Sequence, residues 1–301
     1  MTVMLAAEMV VHERVRLNEP MAKHTSWQVG GPAERFFQPL DLADLCSYLR
    51  QSPSSDAPSL WLGLGSNLLV RDGGIPGLVI CLAGSLKSLQ IMDDGNIRVE
   101  SGVTGARLAR FCADAGLAGG EFFAGIPGSV GGALAMNAGA HDGSTWEQVV
   151  AVETIDRLGV VRIRQPEEFK VGYRSVEGPP GEWFVAAHMQ MISGTPALIR
   201  EQIREIVRWR KQAQPLTEPS AGSVFRNPVG DHAGHLIDQA GLKGTRVGGA
   251  SVSQKHANFI VNDGSATAAD IEALIEQVRA EVLRVSGIEL VTEVHIVGVA
   301  K

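Results

Sequence analysis

The sequence predicts an α+β protein of two domains, and three observations lead there. Amphipathic helices with legible caps are interspersed with short β-branched runs, yet helix and strand do not alternate in the strict βαβ order of a doubly wound sheet. At 301 residues the chain exceeds the size of one ordinary core. A helical stretch over 197–213 then runs into QPLTEPS, whose prolines read as a boundary near Pro215.

Each element follows from local pattern. Asp41-Leu42-Ala43-Asp44 is an N-cap with an acid three residues on, after which Leu42, Leu45 and Leu49 share a face. Leu60–Leu64, Leu78–Leu82 and Ile97–Glu100 read as strands. Thr104 opens a helix through Leu108, Phe111 and Cys112, and Gly116 stops it. Val149–Ile155, Val160–Ile163 and Trp183–Met191 are further strands. Along 197–213, Ile199, Ile203, Ile206 and Val207 are expected to face inward until Pro215 blocks the helix. The strongest helix signal starts at Thr267, with Asp270 three residues on. Ile271, Leu274, Ile275, Val278 and Val282 recur at helical spacing, and Gly287 ends the run. Leu290–Val297 is the last strand. Period two places Leu290, Thr292, Val294 and Ile296 on one face and Val291, Glu293, His295 and Val297 on the other.

Composition excludes several classes. Lys and Arg number 27 against 33 Asp and Glu, and the net charge of −6 argues against a nucleic-acid or membrane-surface partner. No apolar run approaches the ~20 residues that span a bilayer. The opening MTVMLAAEMVVHERVRLNEP carries Glu8, His12 and Glu13 and lacks the basic start of a signal peptide, so the expected address is the cytoplasm. Cys46, Cys81 and Cys112, without a C-x-x-C pair, offer neither a disulfide framework nor a zinc cluster. Cys46 and Cys112 fall on core faces of helices and are expected to be inert. Asp231-His232-Ala233-Gly234-His235 contains H-x-x-H without a third ligand, so solvated histidines are expected there and no metal.

Glycine is the compositional outlier: 35 of 301 residues, about 12% against a usual ~7%. Gly63-Leu64-Gly65-Ser66-Asn67-Leu68-Leu69-Val70 follows an apolar strand. It is neither the G-x-G-x-x-G dinucleotide fingerprint, since position 68 is Leu, nor a G-K-[ST] phosphate loop. A plain strand-to-turn connection and a pyrophosphate cradle both remain open for it. The second loop, 119–140, packs Gly125, Gly128, Gly131, Gly132 and Gly139 among alanines. Such a stretch costs backbone entropy, and it suits either close helix packing or a backbone wall against a large flat ligand.

Three further residues carry candidate chemistry. Ser223 lies in AGSVFRNP, where Ala221 and Phe225 rule out the G-x-S-x-G elbow of a hydrolase. A turn-capping hydroxyl is the plain alternative. Arg174, in Gly172-Tyr173-Arg174-Ser175, reads equally as a solvated arginine. Glu293 shares a face with His295, which could simply be the exposed side of its strand.

Taken in order, HTSWQVGGPAERFF, the two glycine loops, VGYRS, AGSVFRNP (221–228), AGLKGTRVGGASVSQKHANFIVN (240–262) and ELVTEVHIVG (289–298) closely resemble the UDP-N-acetylenolpyruvoylglucosamine reductase (MurB) family of peptidoglycan precursor synthesis. The resemblance runs from about Lys23 to Gly298. It implies the FAD-binding fold of vanillyl-alcohol oxidase and p-cresol methylhydroxylase, followed by a C-terminal α+β substrate domain. The domains would be 24–195, with lobes of about 24–85 and 86–195, and 196–301. Without an insertion between Tyr173 and Trp183, the chain resembles the shorter class that lacks the tyrosine loop.

By that resemblance Gly63, Gly65, Ser66, Asn67 and Leu68 contact FAD from one side. Gly125, Ile126, Pro127, Gly128, Ser129, Gly132 and Asn137 contact it from the other. NADPH is the implied hydride donor. The loop cores 63–70 and 125–140 contain neither His nor Cys, and His141 falls just outside, so the flavin is expected to be held non-covalently. The resemblance makes Ser223 the proton donor to carbon, Arg174 a partner of the substrate carboxylate, and Glu293 an acid with a raised pKa. Tyr173, Arg226, Asn227, Lys255 and His256 align with positions that bind the substrate, UDP-N-acetylglucosamine enolpyruvate. The alternatives are an FAD oxidase of the same fold and a nucleotide-sugar-binding regulator without turnover. The oligomeric state is left open, and a monomer is compatible with every residue assigned.

Overall fold

The computed structural model describes residues 14–52, 58–141 and 143–301, so the reading of the opening segment falls mostly outside the described residues. The chain divides into two units, each discontinuous in sequence. One holds the chain up to Leu17 together with Arg35–Leu64 and Gly77–Arg208; the other holds Asn18–Glu34, Gly65–Pro76 and Trp209–Lys301. Residues 24–34 and 65–76, expected within the first domain from sequence, fall in the second unit.

The first unit is built on two sheets. A four-stranded sheet runs in the order Val15–Pro20, Pro32–Phe37, Ile75–Cys81, Pro58–Leu62, with Pro58–Leu62 parallel to Ile75–Cys81. Leu45, Tyr48 and Leu49 of the helix Leu42–Gln51 pack on it against Phe37, Leu78 and Ile80. Phe37 and Tyr48 stack with ring centroids 3.9 Å apart. Asp41 caps this helix by accepting from the Asp44 amide at 2.9 Å. The Asp44 carboxylate reaches back to the Leu40 amide at 2.8 Å, one residue beyond the cap.

The second sheet is antiparallel and five-stranded, in the order Val161–Arg164, Val149–Asp156, Glu182–Met189, Ile97–Glu100, Leu89–Ile91. The helices Gly105–Ala115 and Val130–Met136 bury Leu108, Cys112, Val130 and Leu134 with its Ile97, Val99, Val152 and Met189. Thr104 caps the first of these helices (Arg107 N to Oγ1, 3.2 Å), and Gly116 closes it in the left-handed conformation (φ 69°). Burial pushes the Cys112 thiol up to about 12 and raises Cys46 and Cys81 as well, which keeps all three unreactive.

Along Pro196–Ala213 the inward face is Ile199, Ile203 and Ile206. Val207 is exposed, contrary to expectation, because it falls at the margin of the stripe those three residues set.

The second unit gathers Trp27, Val29 and Leu69 into one core with Val224, Phe225, Ile237, Val252, Ile260, Leu290 and the inner face of the helix Ala268–Ser286. That helix carries the expected reciprocal cap between Thr267 and Asp270, and Gly287 ends it at φ 72°. Arg246–Val247, Ala250–Val252 and Ile260–Asn262 form a small antiparallel sheet. His295–Val297 pairs in parallel with Leu68–Val70. The last strand is therefore shorter than the expected Leu290–Val297. Residues 290–294 keep the alternation, with Leu290 and Val294 buried, but they meet 224–226 through a single bridge (Phe225 with Thr292) and scattered backbone bonds. Among the described residues, no helix is long and apolar enough to cross a membrane.

Candidate active site

In the first unit the two glycine loops meet. A Cβ on Gly63 would lie 2.5 Å from Ser129 Oγ, so any side chain there would force that hydroxyl to move. Ser129 begins the helix Val130–Met136 with its Oγ 3.5 Å from the Gly132 amide. The Gly131 amide donates to Ser101 O at 2.8 Å, and a Cβ on Gly131 would come within 2.8 Å of Ser101 Cβ. A Cβ on Gly132 would meet Ser129 Oγ at 3.9 Å, an ordinary contact. Of the two readings weighed from sequence, Gly131 shows the close packing, and Gly132 borders the cavity described next.

Gly63, Ser129, Gly131 and Gly132 line a cavity of about 260 Å³ together with Trp61, Ser101, Thr154, Glu182 and Trp183. Trp61 and Trp183 stack at 4.8 Å with ring planes 19° apart. The Arg164 guanidinium holds the Glu182 carboxyl below the usual carboxylate range, and Thr154 Oγ1 donates to it at 2.6 Å. Two polar atoms of the lining residues, Trp61 Nε1 and Ser101 Oγ, are buried without a hydrogen-bond partner. A concavity walled by glycine backbone, hydroxyls and an aromatic pair fits part of a dinucleotide such as FAD.

Arg174 sits at the turn of the hairpin Lys170–Gly172/Ser175–Glu177 with φ 53°, a conformation that a non-glycine residue holds only when its surroundings enforce it. Its Nη2 donates to Gly139 O at 2.9 Å and Nη1 to Asn137 O at 3.4 Å. The guanidinium lies 5.5 Å from the ring centroid of Tyr173, a side chain that is itself exposed. Asn137, also left-handed, donates from Nδ2 to Gly172 O (3.2 Å) and accepts the Trp146 amide (3.1 Å). Its side chain anchors the Arg174 hairpin. After the hairpin only a short turn leads to Glu182, with no added loop.

In the second unit Ser223 and Glu293 lie on adjoining segments. Val224 O accepts the Glu293 amide at 2.8 Å, and Arg226 N donates to Val291 O at 2.9 Å. Asn258 fixes the serine segment: its Oδ1 accepts the Phe225 amide (3.0 Å) and its Nδ2 donates to Phe225 O (2.8 Å). Asn67 fixes the glutamate segment, donating to Glu293 O at 3.1 Å while its own carbonyl accepts the His295 amide at 3.1 Å. Seventy residues apart in sequence, Ser223 and Glu293 are brought onto adjoining segments by backbone bonding.

The other expected substrate ligands differ in what engages them. Arg226 Nε is buried without a hydrogen-bond partner. Asn227 Oδ1 is taken up by the Ala233 amide (3.1 Å), leaving its amide nitrogen as the donor. Lys255 donates to Lys211 O and is exposed. His256 Nδ1 accepts the Asn258 amide at 3.2 Å, which places the ring proton on Nε2. Burial, with Lys243 nearby, lowers the pKa of His256. Its folded value is thus below its unfolded one, so stability is intact above the ordinary imidazole range near 6.5. It declines as pH falls through that range, where only the unfolded chain takes the proton. Thermal midpoints compared at pH 7.5 and pH 5.5 should therefore fall more in the wild type than in His256→Gln; equal falls would exclude the effect.

The remaining expected FAD contacts lie off the cavity. Gly65, Ser66, Asn67 and Leu68 are in the second unit, where a Cβ on Gly65 would strike His24 O at 2.0 Å. Gly125, Ile126, Pro127 and Gly128 secure the turn before Ser129, with Gly128 O accepting the Gly105 amide at 3.1 Å. Trp61, Ser101, Thr154, Glu182 and Trp183 escaped the sequence reading. Trp61 alone left a signal, since it stands two residues before Gly63 at the end of the same apolar run. His235 pairs with Asp231 at 2.9 Å and is exposed. No cluster of three or more metal-ligating side chains occurs among the described residues.

The fold and the glycine-walled cavity define a protein of the FAD-binding class. In agreement, residues 33–164 match the family model of the FAD binding domain, and residues 214–297 match that of the C-terminal domain of UDP-N-acetylenolpyruvoylglucosamine reductase. The chain is 56% identical over 299 residues to the UDP-N-acetylenolpyruvoylglucosamine reductase of Alkalilimnicola ehrlichii, covering 99% of this chain and 100% of that one. The crystal structure of the reductase from Thermus caldophilus superposes with a TM-score of 0.81 at 35% identity, over 94% of this chain and 98% of that chain. The 6-hydroxy-D-nicotine oxidase of Arthrobacter nicotinovorans shares the fold alone, with a TM-score of 0.53 at 13% identity over 93% of this chain and 86% of that one. The chain belongs to the UDP-N-acetylenolpyruvoylglucosamine reductase family.

Proposed function

We propose that the protein is an NADPH-dependent, FAD-containing reductase that converts UDP-N-acetylglucosamine enolpyruvate to UDP-N-acetylmuramate for peptidoglycan synthesis in the cytoplasm. Family membership supports the reaction. The single structural observation that supports it is the bond from the Glu293 amide to Val224 O, which brings the segment of Glu293 against that of Ser223. Residues 24–195 would provide the FAD-binding domain, lending segments 24–34 and 65–76 to the core of the substrate domain 196–301. Within that division the Gly63–Ser129 contact belongs to the flavin and the Ser223–Glu293 pair to the nucleotide sugar.

FAD, when bound, would supply the two-electron redox chemistry between NADPH and the enolpyruvyl double bond of the substrate. The residues do the rest. A serine hydroxyl is a weak acid, so Ser223 donates its proton only to a strongly basic carbon, the one bearing the ether oxygen once charge has built up beside it. Glu293 polarises the enolpyruvyl group from the neighbouring segment. Arg174, held in one orientation by Gly139 O and Asn137 O, offers a fixed guanidinium to the carboxylate where charge accumulates. Arg226 Nε, and the Nε2–H of a neutral His256, supply hydrogen bonds to the anionic sugar nucleotide.

The experiment is anaerobic. NADPH should bleach the yellow protein, and the enolpyruvyl sugar should restore its colour with formation of UDP-N-acetylmuramate. Colour restored at turnover rate by oxygen alone would identify an oxidase, and sugar binding without reoxidation a regulator. All yellow colour should also pass into solution on acid or heat denaturation. Colour that stays with the precipitate would establish covalent attachment.

A further inference from the structure

Trp61 and Ser101 both line the cavity in the first unit, and each buries a hydrogen-bond donor that the chain leaves unpaired. Ser101 is 1% exposed, and neither its amide nor its carbonyl is idle: the amide donates to Val185 O and the carbonyl accepts from Gly131. Only the hydroxyl lacks a partner. The indole of Trp61 is fixed by its stack on Trp183, and the residue lies two positions before Gly63 in the chain. A buried donor without an acceptor costs free energy in the empty protein, and that cost is recovered when a ligand brings the acceptor. The two donors differ in surroundings. Ser101 adjoins the glycine backbone of 131–132, which suits phosphate oxygens, whereas Trp61 belongs to an aromatic wall with Trp183 and Phe184, which suits a flat heterocycle.

We infer that Trp61 and Ser101 are binding residues for the flavin dinucleotide, with Trp61 Nε1 donating to its adenylate half and Ser101 Oγ to its diphosphate. The inference rests on the FAD reading above. It goes beyond that reading by assigning two donors outside both glycine loops.

The test uses full-length apoprotein, prepared by flavin release and titrated with FAD and with FMN, which lacks the adenylate. Trp61→Phe keeps an aromatic ring against Trp183 and removes the N–H. It should weaken FAD binding about three- to twelve-fold and leave FMN within about twofold of wild type. Ser101→Ala should weaken FAD by a similar factor. Because each change removes an unpaired polar atom, the apoprotein melting temperature should stay at or above the wild-type value, while the rise produced by FAD shrinks. Unchanged FAD affinity, equal weakening of FMN by Trp61→Phe, or a drop in apoprotein melting temperature with an unchanged FAD-induced rise would each overturn the inference. Failure of the wild-type apoprotein to bind FAD would instead overturn the flavin reading itself.

Discussion

Ser223→Ala is expected to separate the two halves of the catalytic cycle. Reduction by NADPH should proceed near the wild-type rate, because the hydroxyl has no part in that hydride transfer. Reoxidation by the enolpyruvyl sugar should slow by about 10²–10⁴-fold, the usual worth of a positioned acid. The variant should fold, since the segment is held by backbone bonds from Val224 and Phe225 to Asn258 rather than by the serine side chain. Rapid mixing at the flavin absorbance band reads each half separately. Equal slowing of both would assign Ser223 a structural role, and an unchanged second half would remove it from the mechanism.

The second large effect is on stability. Trp27 is fully buried in the core of the second unit; its indole N–H donates to Ile260 O at 2.8 Å, and its carbonyl accepts from Asn262 Nδ2 at 2.8 Å. Trp27→Ala empties the largest side-chain volume in that core and strands the Ile260 carbonyl. A loss of about 3–5 kcal/mol is expected. Trp27→Phe, which retains most of the ring, should lose about 1–3 kcal/mol, chiefly for the unpaired carbonyl. Urea denaturation of the apoprotein gives both values, and a loss below about 1 kcal/mol for the alanine variant would contradict the packing described.

Local chemistry was legible wherever one short segment decides the outcome. Thr104 with Gly116, and Thr267 with Asp270 and Gly287, mark helix ends because a cap is a contact between near neighbours. The helix Val130–Met136 was not, because its glycines disfavour helix and its start is held by the distant partners Val103 O and Ser101 O. Residues 290–294 show the opposite error. Their alternation is real in burial, but a strand also needs a ladder partner along its length, and the segment 223–226 supplies only one bridge.

The site divides in the same way. Motif resemblance pointed to Ser223, Arg174 and Glu293, and the fold supplies what holds each: Asn258, Asn137 and Asn67 respectively. Asn67 and Asn137, read as flavin contacts, turn their side chains to backbone partners that no spacing rule could reveal. Trp61 and Ser101 were invisible for a different reason. An unpaired buried donor is defined by what surrounds it, and the sequence carries no mark of that.

The interleaving of the two units constrains how genes for such proteins can recombine. Residues 214–297 match a family model of their own and look like a portable cassette. Yet the hydrophobic interior they build is completed by Trp27, Val29 and Leu69, encoded upstream of most of the other unit. A single crossover near codon 214 would join a C-terminal half from one parent to the Trp27 and Leu69 of another, and the mismatch would fall in the interior. Viable chimeras of distant homologues should therefore carry 18–34 and 65–76 from the same parent as the C-terminal segment, a three-piece exchange. Expression of 209–301 alone should yield a chain without a complete interior of its own.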